Sequence, residues 1–398
     1  MNVGLRARNA SIAVCAVLGT YHLAYIISSI FVDGAIGFKV HAFFLDYLVW
    51  YAAAPAIKAG GLPLVFEPTA FTAFQNNLFA HWLPSPMKLP RPWLYPPTFL
   101  LVALPLSLVP VLVSALTFQL AGVLAVFFAF GKRVGATLAL VASPAFCATF
   151  VAGQNSAFML GFLVGGLRLL DSSPVLAGMM LGLLSLKPQL FVLVPVALLA
   201  ARAWRALFAA IATALSLAIL SVLYNGIGAW TLWLQATDGP LKLLQVSLMS
   251  KDAYGAQMGS ILAAANSAGA SVGVAWALQL IGAMCAGLAV TFVFARRTDL
   301  ESRGVVIAAA SLLASPYWMN YELLLPSGAI VLAMTKAWRD GFGEGEWLAW
   351  PVIWILPFTM VVLNIVEFPV APLVVAATVA LAVRQAIAPR SSAVLRAA

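Results

Sequence analysis

Charged residues are scarce in this chain: only 9% of its 398 residues are Asp, Glu, Lys or Arg, whereas 63% are apolar. The mean hydropathy is +1.00. These values exclude a water-soluble globular domain and a disordered chain, because both carry more charge and less apolar surface. The composition predicts an all-α polytopic membrane protein that forms one domain over residues 1–398, with about 12 transmembrane helices.

Patterns that bind metals or nucleotides are missing as well. The cysteines lie inside apolar runs and the histidines are scattered: Cys15, Cys147, Cys285, His22, His41 and His81. The chain has no Walker sequence, no G-x-G-x-x-G after a strand, and no D-x-D motif on the predicted outer side. We therefore expect no metal, no cofactor and no nucleotide-linked donor.

The net charge of +9 comes from small basic groups between apolar runs. This spacing follows the positive-inside rule and does not indicate nucleic acid binding. Arg6 and Arg8 precede an apolar run over about residues 10–32, which is longer than a signal-peptide core, so we expect the N-terminus inside. These features predict a multi-pass protein of the bacterial cytoplasmic membrane with outer loops over about 33–96 and 225–268. The first loop ends in a proline-rich stretch, LPSPMKLPRPWLYPP, which excludes regular helix, and the second contains an aromatic stretch, GIGAWTLWLQ, which predicts an interfacial helix. The active site would face the periplasm.

The stretch over residues 43–61, FFLDYLVWYAAAPAIKAGG, directly follows the first apolar run and contains an acid, Asp46. Asp46 and Trp50 are four residues apart and share a helix face, and Gly60-Gly61 is a suitable helix end. The segment is short and aromatic, which favours a helix at the membrane surface rather than a crossing. Asp46 is our candidate general base; the alternative is an acid that binds backbone amides at the helix start.

Five fragments occur in an order typical of one family. They are DYLVWYAAA and a glycine turn over 46–61, Tyr95-Pro96-Pro97, Gly153-Gln154-Asn155, Lys187-Pro188-Gln189, and SPYWMNYELLLP over 315–326. Together, over about residues 40–330, they resemble glycosyltransferase family 87, which is similar to polyprenyl-phosphate-mannose-dependent α-mannosyltransferases. The family often has a histidine after the late Ser-Pro, where this chain has Asn320-Tyr321-Glu322, so the identity of the sugar stays open.

The resemblance implies a GT-C membrane fold and transfer of a hexose, mannose in the family, from a polyprenyl-phosphate donor to a lipid or glycan acceptor. It also makes Asp46 the base. The reaction that we expect inverts the anomeric carbon. Candidates to bind the donor phosphate are the outer cations Arg91, Lys187 and Lys251. Candidates to bind the sugar or the acceptor are Trp50, Tyr95, Gln154, Asn155, Gln189, Trp318, Asn320, Tyr321 and Glu322.

Each of these candidates has an ordinary structural alternative. Arg91 would also suit a lipid headgroup, and Lys187 would also suit snorkelling from the end of an apolar run. Asn155 would also cap the helix that follows it, and aromatic residues such as Trp318 commonly anchor a protein in the interface. For the whole chain, a lipid or solute transporter is the competing class and a membrane scaffold is a third. Transporters usually show paired halves and charges in the middle of spans.

Overall fold

A computed structural model of the protein consists almost entirely of helices. It describes residues 13, 15–24, 31–32, 35–36, 44–83, 85–88, 90–236, 255–296, 298–340 and 346–387. The helices are α1 Cys15–Ala24, α2 Leu45–Phe66, α3 Pro68–Leu78, α4 Leu100–Leu106, α5 Val111–Ala129, α6 Val134–Val141, α7 Pro144–Ala152, α8 Ser156–Leu169, α9 Pro174–Gly182, α10 Pro188–Phe191, α11 Leu193–Ala200, α12 Trp204–Asn225, α13 227–236, α14 Ile261–Ser267, α15 Val272–Ala295, α16 Leu300–Ala314, α17 Leu324–Asp340, α18 Glu346–Ile365 and α19 Ala371–Ile387.

Short elements connect these helices. The 3₁₀ turns are Pro97–Phe99, Leu183–Leu186, Gly255–Gln257 and Asn320–Leu323. One antiparallel pairing joins two-residue strands, β1 Phe31–Val32 and β2 Ala35–Ile36. This pairing is a small departure from the all-helical prediction.

Four of the helices are long and apolar enough to cross a membrane: α2, α5, α12 and α15. Helices α6 and α7 would make a fifth crossing if they form one span, although they are bent by 66° relative to each other. Other apolar helices, such as α8 and α19, are shorter than the roughly 20 residues of a straight crossing. The described residues therefore belong to a polytopic membrane protein with four or five long spans.

Helix α2 differs from its prediction. We expected a surface helix over 43–61 that is too short to cross, but the helix extends over Leu45–Phe66 and has the length and composition of a span. Gly61 does interrupt the helical backbone, with φ 75° and ψ −177°. The helix resumes immediately, because glycine adopts positive φ without steric cost and Pro63 lies in the first turn of the next segment.

The segment over 98–130 is also divided. Helix α4 ends at Leu106, and α5 begins only at Val111, after Pro110. Helix α4 does not continue through Pro110, because a proline in the interior of a helix lacks the N–H for the backbone hydrogen bond and its ring collides with the preceding turn; Pro110, with a ψ of 142°, instead precedes α5 as its N-cap. Residues 98–130, for which the sequence leaves one or two crossings open, therefore form two helices, of which α5 alone has the length of a span.

Close packing between the start of α2 and the end of α7 brings distant parts of the chain together. The backbone N–H of Phe44 donates to the carbonyl of Val151 at 2.7 Å. Gly153 ends α7 in the left-handed conformation, with φ 74°. A Cβ at Gly153 would lie 2.6 Å from the Cβ of Tyr47, so only glycine permits this approach. The carboxylate of Asp46 consequently lies beside Gln154.

The two segments that we predicted as outer loops, over about 33–96 and 225–268, contact each other. Residues 227–236 form helix α13, as the aromatic sequence GIGAWTLWLQ predicts, and Trp233 Nε1 donates to the carbonyl of Leu94 at 3.4 Å. Residues 237–254, which include Lys251, lie outside the described residues. The described residues between α3 and Pro96 form no helix or strand, as the prolines of this stretch predict.

Candidate functional site

A cavity of about 370 Å³ opens beside the start of α2. One part of its wall is polar and carries the side chains of His22, Asp46, Arg91, Gln257, Asn320 and Tyr321. Another part is apolar and comes mainly from α7 and α18, through Cys147, Ala148, Val151, Phe358, Val361 and Val362. The cavity therefore combines a charged region with a surface suited to hydrocarbon.

Asp46 is the acid in the wall of this cavity. Its Oδ1 accepts a hydrogen bond from Arg91 Nη1 at 3.0 Å, and its Oδ2 accepts one from Gln154 Nε2 at 2.8 Å. The side chains of Asp46 and Arg91 are 23% and 24% exposed, so the ion pair is accessible from the cavity. The residue before α2 is Phe44, which has no side-chain cap, and Asp46 binds side chains rather than the backbone amides of its helix.

A buried chain of polar side chains extends from Asp46 into the protein. Tyr95 donates through its hydroxyl to Gln154 Oε1 at 3.0 Å and lies 3.5 Å from Asn155 Oδ1. Burial raises the pKa of Tyr95 to about 12, although the nearby Lys187 ammonium acts in the opposite direction. Tyr95 is therefore a neutral hydrogen-bond donor at pH 7, and it fixes the amide orientation of Gln154 so that Nε2 points to Asp46.

Lys187 and Glu322 form a buried ion pair next to this chain. Lys187 Nζ lies 2.6 Å from Glu322 Oε1, and the two side chains are 5% and 1% exposed. The ammonium also lies 5.8 Å from the ring centroid of Tyr95 and 5.1 Å from that of Tyr321. Glu322 Oε2 accepts a hydrogen bond from the backbone N–H of Met319 at 3.0 Å. Neither charge is among the cavity-lining groups; they stabilise the turn that presents Asn320 and Tyr321 to the cavity.

Side chains of helix α3 hold the backbone of Arg91. The N–H of Arg91 donates to Thr72 Oγ1 at 2.7 Å, and Gln75 Nε2 donates to the carbonyl of Arg91 at 3.0 Å. The next residue, Asn76, makes a similar clamp further along the loop: it exchanges hydrogen bonds of 2.8 and 3.1 Å with the backbone of Met87. The irregular, proline-rich loop is thus attached to α3 at Arg91, the residue whose guanidinium binds Asp46.

The comparison with known families identifies the chain. The model described as "Glycosyltransferase family 87" matches residues 93–316, which is more than half of the 398 residues. The chain belongs to glycosyltransferase family 87. It is therefore a membrane glycosyltransferase, which takes a sugar from a donor and gives it to an acceptor. No curated protein and no solved structure matches the chain.

The matched region covers only part of the site of this family 87 protein. Tyr95, Gln154, Asn155 and Lys187 lie within it. Asp46, Arg91 and the turn over 319–322 lie outside the matched residues and reach the site through the contacts described above.

The remaining predicted residues occupy different positions. Trp50 is 1% exposed and packs edge-on against Tyr95 and Phe99, at centroid distances of 5.4 and 4.9 Å. Trp318 is equally buried and lies against Gly259, so it is not an interfacial anchor. Gln189 is half-buried in α10 and is not among the described cavity-lining residues. Asn155 occupies the position before α8 without a side-chain cap bond, so capping does not account for it.

Two polar residues of the cavity wall, His22 and Gln257, were not predicted. His22 lies in α1 and lines the same cavity as Asp46, although in the sequence it is one of three scattered histidines. The available signal was its position inside an apolar run, where a polar side chain is costly unless it has a partner or a function. Among the described residues, no three His, Cys, Asp or Glu side chains come together to hold a metal ion.

Proposed function

We propose that this family 87 protein transfers a hexose, with mannose as the first candidate, from a polyprenyl-phosphate donor to a hydroxyl of a lipid or glycan acceptor. The proposed fold is the GT-C type with about 12 transmembrane helices, and the proposed location is the bacterial cytoplasmic membrane with the site facing the periplasm. One observation carries the proposal: an accessible carboxylate, Asp46, lies in the polar wall of a cavity that also has an apolar wall. A polyprenyl-linked sugar likewise combines a polar part, the sugar and its phosphate, with an apolar hydrocarbon chain.

In the proposed reaction, Asp46 is the general base. A hydroxyl of the acceptor gives its proton to a carboxylate oxygen of Asp46 while the hydroxyl oxygen forms a bond to the anomeric carbon. The bond from that carbon to the phosphate oxygen breaks at the same time, and polyprenyl phosphate leaves with inversion at carbon. Each carboxylate oxygen of Asp46 accepts one hydrogen bond, from Arg91 or Gln154, and a carboxylate oxygen has a second lone pair that can take the proton.

Arg91 is the proposed partner of the leaving phosphate. A guanidinium binds phosphate oxygens through two parallel N–H donors, and the negative charge on the phosphate grows as the bond breaks. Arg91 shares the cavity wall with Asp46, so it can neutralise both the base and the leaving group. Lys251 stays a second proposed phosphate ligand. Lys187 is a weaker candidate, because its ammonium is already paired with Glu322.

The proposed sugar and acceptor contacts fall into two groups. Asn320 and Tyr321 line the cavity and can meet a substrate directly. Gln154 binds Asp46, while Tyr95 binds Gln154 and lies 3.5 Å from Asn155 Oδ1, so these three residues are proposed to position the base rather than to touch the sugar. Membership of a glycosyltransferase family favours the transferase over a transporter.

The decisive experiment compares wild type with Asp46→Asn, which keeps the volume but cannot accept the proton. We expect turnover to fall by about 10²- to 10⁴-fold, with the donor affinity changed much less. The assay follows labelled mannose from polyprenyl phosphate into membrane glycolipids, with purified protein at equal folded amounts. The matched control is Asp299→Asn, which changes an acid that caps α16 in a turn away from the cavity and should leave turnover unchanged. An Asp46→Asn variant with more than about a tenth of wild-type turnover would refute the assignment.

A further inference from the structure

His22 reaches the cavity because α1 packs closely against its neighbours. Gly19 lies three residues before His22 and therefore on a similar face of the helix. A Cβ at Gly19 would lie 3.1 Å from the Cβ of Ala142 and 3.7 Å from the ring of Trp354. The ring of His22 meets that of Phe358 edge-on, with centroids 6.2 Å apart. The imidazole is thus held at the edge of the apolar wall.

The hydrogen bond of His22 to the backbone determines the tautomer of its ring. Its Nδ1 lies 2.6 Å from the carbonyl oxygen of Leu18. A carbonyl oxygen can only accept, so Nδ1 carries the proton. In the neutral imidazole, which predominates at pH 7, Nε2 then has a lone pair and acts as an acceptor. Within the described part of the chain, the bond to Leu18 is the hydrogen bond that the ring makes.

We infer that His22 is a sugar-binding residue: its Nε2 accepts a hydrogen bond from a hydroxyl of the sugar carried by the donor. The inference rests on the proposed function, since it presumes a polyprenyl-linked sugar in the cavity. It places the sugar between the apolar wall, which Phe358 represents, and the charged wall of Asp46 and Arg91. In the donor, the sugar is joined through one phosphate to the hydrocarbon chain, so it must lie near both walls.

Two substitutions test the roles of the two ring nitrogens, Nδ1 and Nε2, separately. In His22→Asn, the side-chain amide is short and can replace Nδ1 as the donor to Leu18, but nothing replaces Nε2. In His22→Gln, the longer side chain can place its carbonyl oxygen near the position of Nε2. Both variants keep a polar, uncharged side chain in α1. A difference between them therefore reports on the acceptor and not on polarity in an apolar helix.

The experiment measures equilibrium binding of two lipids, polyprenyl phosphate and polyprenyl-phosphomannose, to wild type, His22→Asn and His22→Gln in detergent. We expect equal affinities for polyprenyl phosphate in all three proteins. For polyprenyl-phosphomannose we expect the Kd of His22→Asn to rise about 3- to 10-fold, as for the loss of one neutral hydrogen bond, with His22→Gln in between. Equal folded fractions are verified by thermal unfolding.

Three outcomes would overturn the inference, and they differ from a failure of the proposed function. Unchanged affinity for polyprenyl-phosphomannose in His22→Asn would show that His22 does not contact the donor sugar. This conclusion holds even if the variant transfers the sugar to the acceptor more slowly. An equal loss for both lipids would indicate a distorted cavity. Equal losses in His22→Asn and His22→Gln for the sugar-bearing lipid would exclude the acceptor at Nε2. If wild type itself binds neither lipid, the proposed donor class is wrong and the inference falls with it.

Discussion

Gln154 Nε2 donates a hydrogen bond of 2.8 Å to Asp46 Oδ2, across a separation of 108 residues in the sequence. The other end of the same amide accepts from Tyr95, so the amide cannot turn over without losing both bonds. The carboxylate is thereby held in one orientation, with Arg91 on its other oxygen. A base that is positioned before the substrate arrives loses little entropy in the reaction.

Removal of this amide should reduce turnover. We expect Gln154→Leu to lower kcat about tenfold or more, because Asp46 loses its orientation, while the KM for the donor changes less. The control is Gln279→Leu: Gln279 is also a buried glutamine, and its amide binds the backbone of Leu262 and Leu313, at 3.1 Å each, without touching Asp46 or Gln154. Gln279→Leu should lower the thermal stability but keep most of the turnover. Equal kinetic losses in the two variants would contradict the orienting role.

The attachment of Arg91 to α3 can be tested with neighbouring residues. Gln75→Leu removes the hydrogen bond to the carbonyl of Arg91, whereas Asn76→Leu removes the two hydrogen bonds to Met87. We expect Asn76→Leu to lower the melting temperature at least as much as Gln75→Leu does, because it removes two hydrogen bonds rather than one. Gln75→Leu should cause the larger loss of turnover, about tenfold, since small displacements of a positioned group are costly. The reverse order of turnover would rule out a positioning role for Gln75.

The buried pair of Lys187 and Glu322 predicts a non-additive result. Lys187→Met leaves a buried carboxylate without its partner and should cost about 3–5 kcal/mol of stability. The double variant Lys187→Met/Glu322→Gln removes both charges and should recover much of that loss. Thermal unfolding and donor binding are measured on all forms. If the double variant is stable but binds polyprenyl phosphate as weakly as the single variant, Lys187 is a phosphate ligand after all.

Asp299 provides a pH-dependent prediction away from the cavity. Burial acts to raise the pKa of Asp299, but hydrogen bonds from Lys336 and Ser302 outweigh it and hold the pKa below its usual range. A carboxyl group with a lowered folded pKa stabilises the protein above its unfolded pKa, about 3.9, and loses this effect as the pH falls through the folded value. Because the side chain is 40% exposed, the effect should be small, at most about 1 kcal/mol.

The measurement for Asp299 is the melting temperature of wild type and Asp299→Asn between pH 3 and pH 7. Asparagine keeps the cap of α16, so the variant loses only the charge interaction with Lys336. We expect wild type to be slightly more stable at pH 7, and the two curves to converge as the pH falls below about 4. A constant difference at every pH would show that the charge of Asp299 contributes nothing.

Much of this protein follows from local sequence. The apolar composition requires a membrane protein, the prolines after α3 require an irregular loop, and the aromatic stretch over 227–236 forms the predicted helix. The sequence indicated three site residues for a physical reason: Asp46, Gln154 and Lys187. A charged or amide side chain inside an apolar stretch is costly to bury, so it indicates a partner or a function.

The identity of each partner was decided by tertiary structure. No local pattern indicates that Lys187 pairs with Glu322, that Gln154 binds Asp46, or that His22 of the first helix shares their cavity. The break at Gly61 was visible in the sequence, but the continuation of α2 to Phe66 was not. The type of a residue determines the free-energy cost of burying its side chain. The contact that compensates this cost depends on how the helices pack. In this chain, the close approach permitted by Gly153 brings α7 and α2 together and so places Gln154 against the acid.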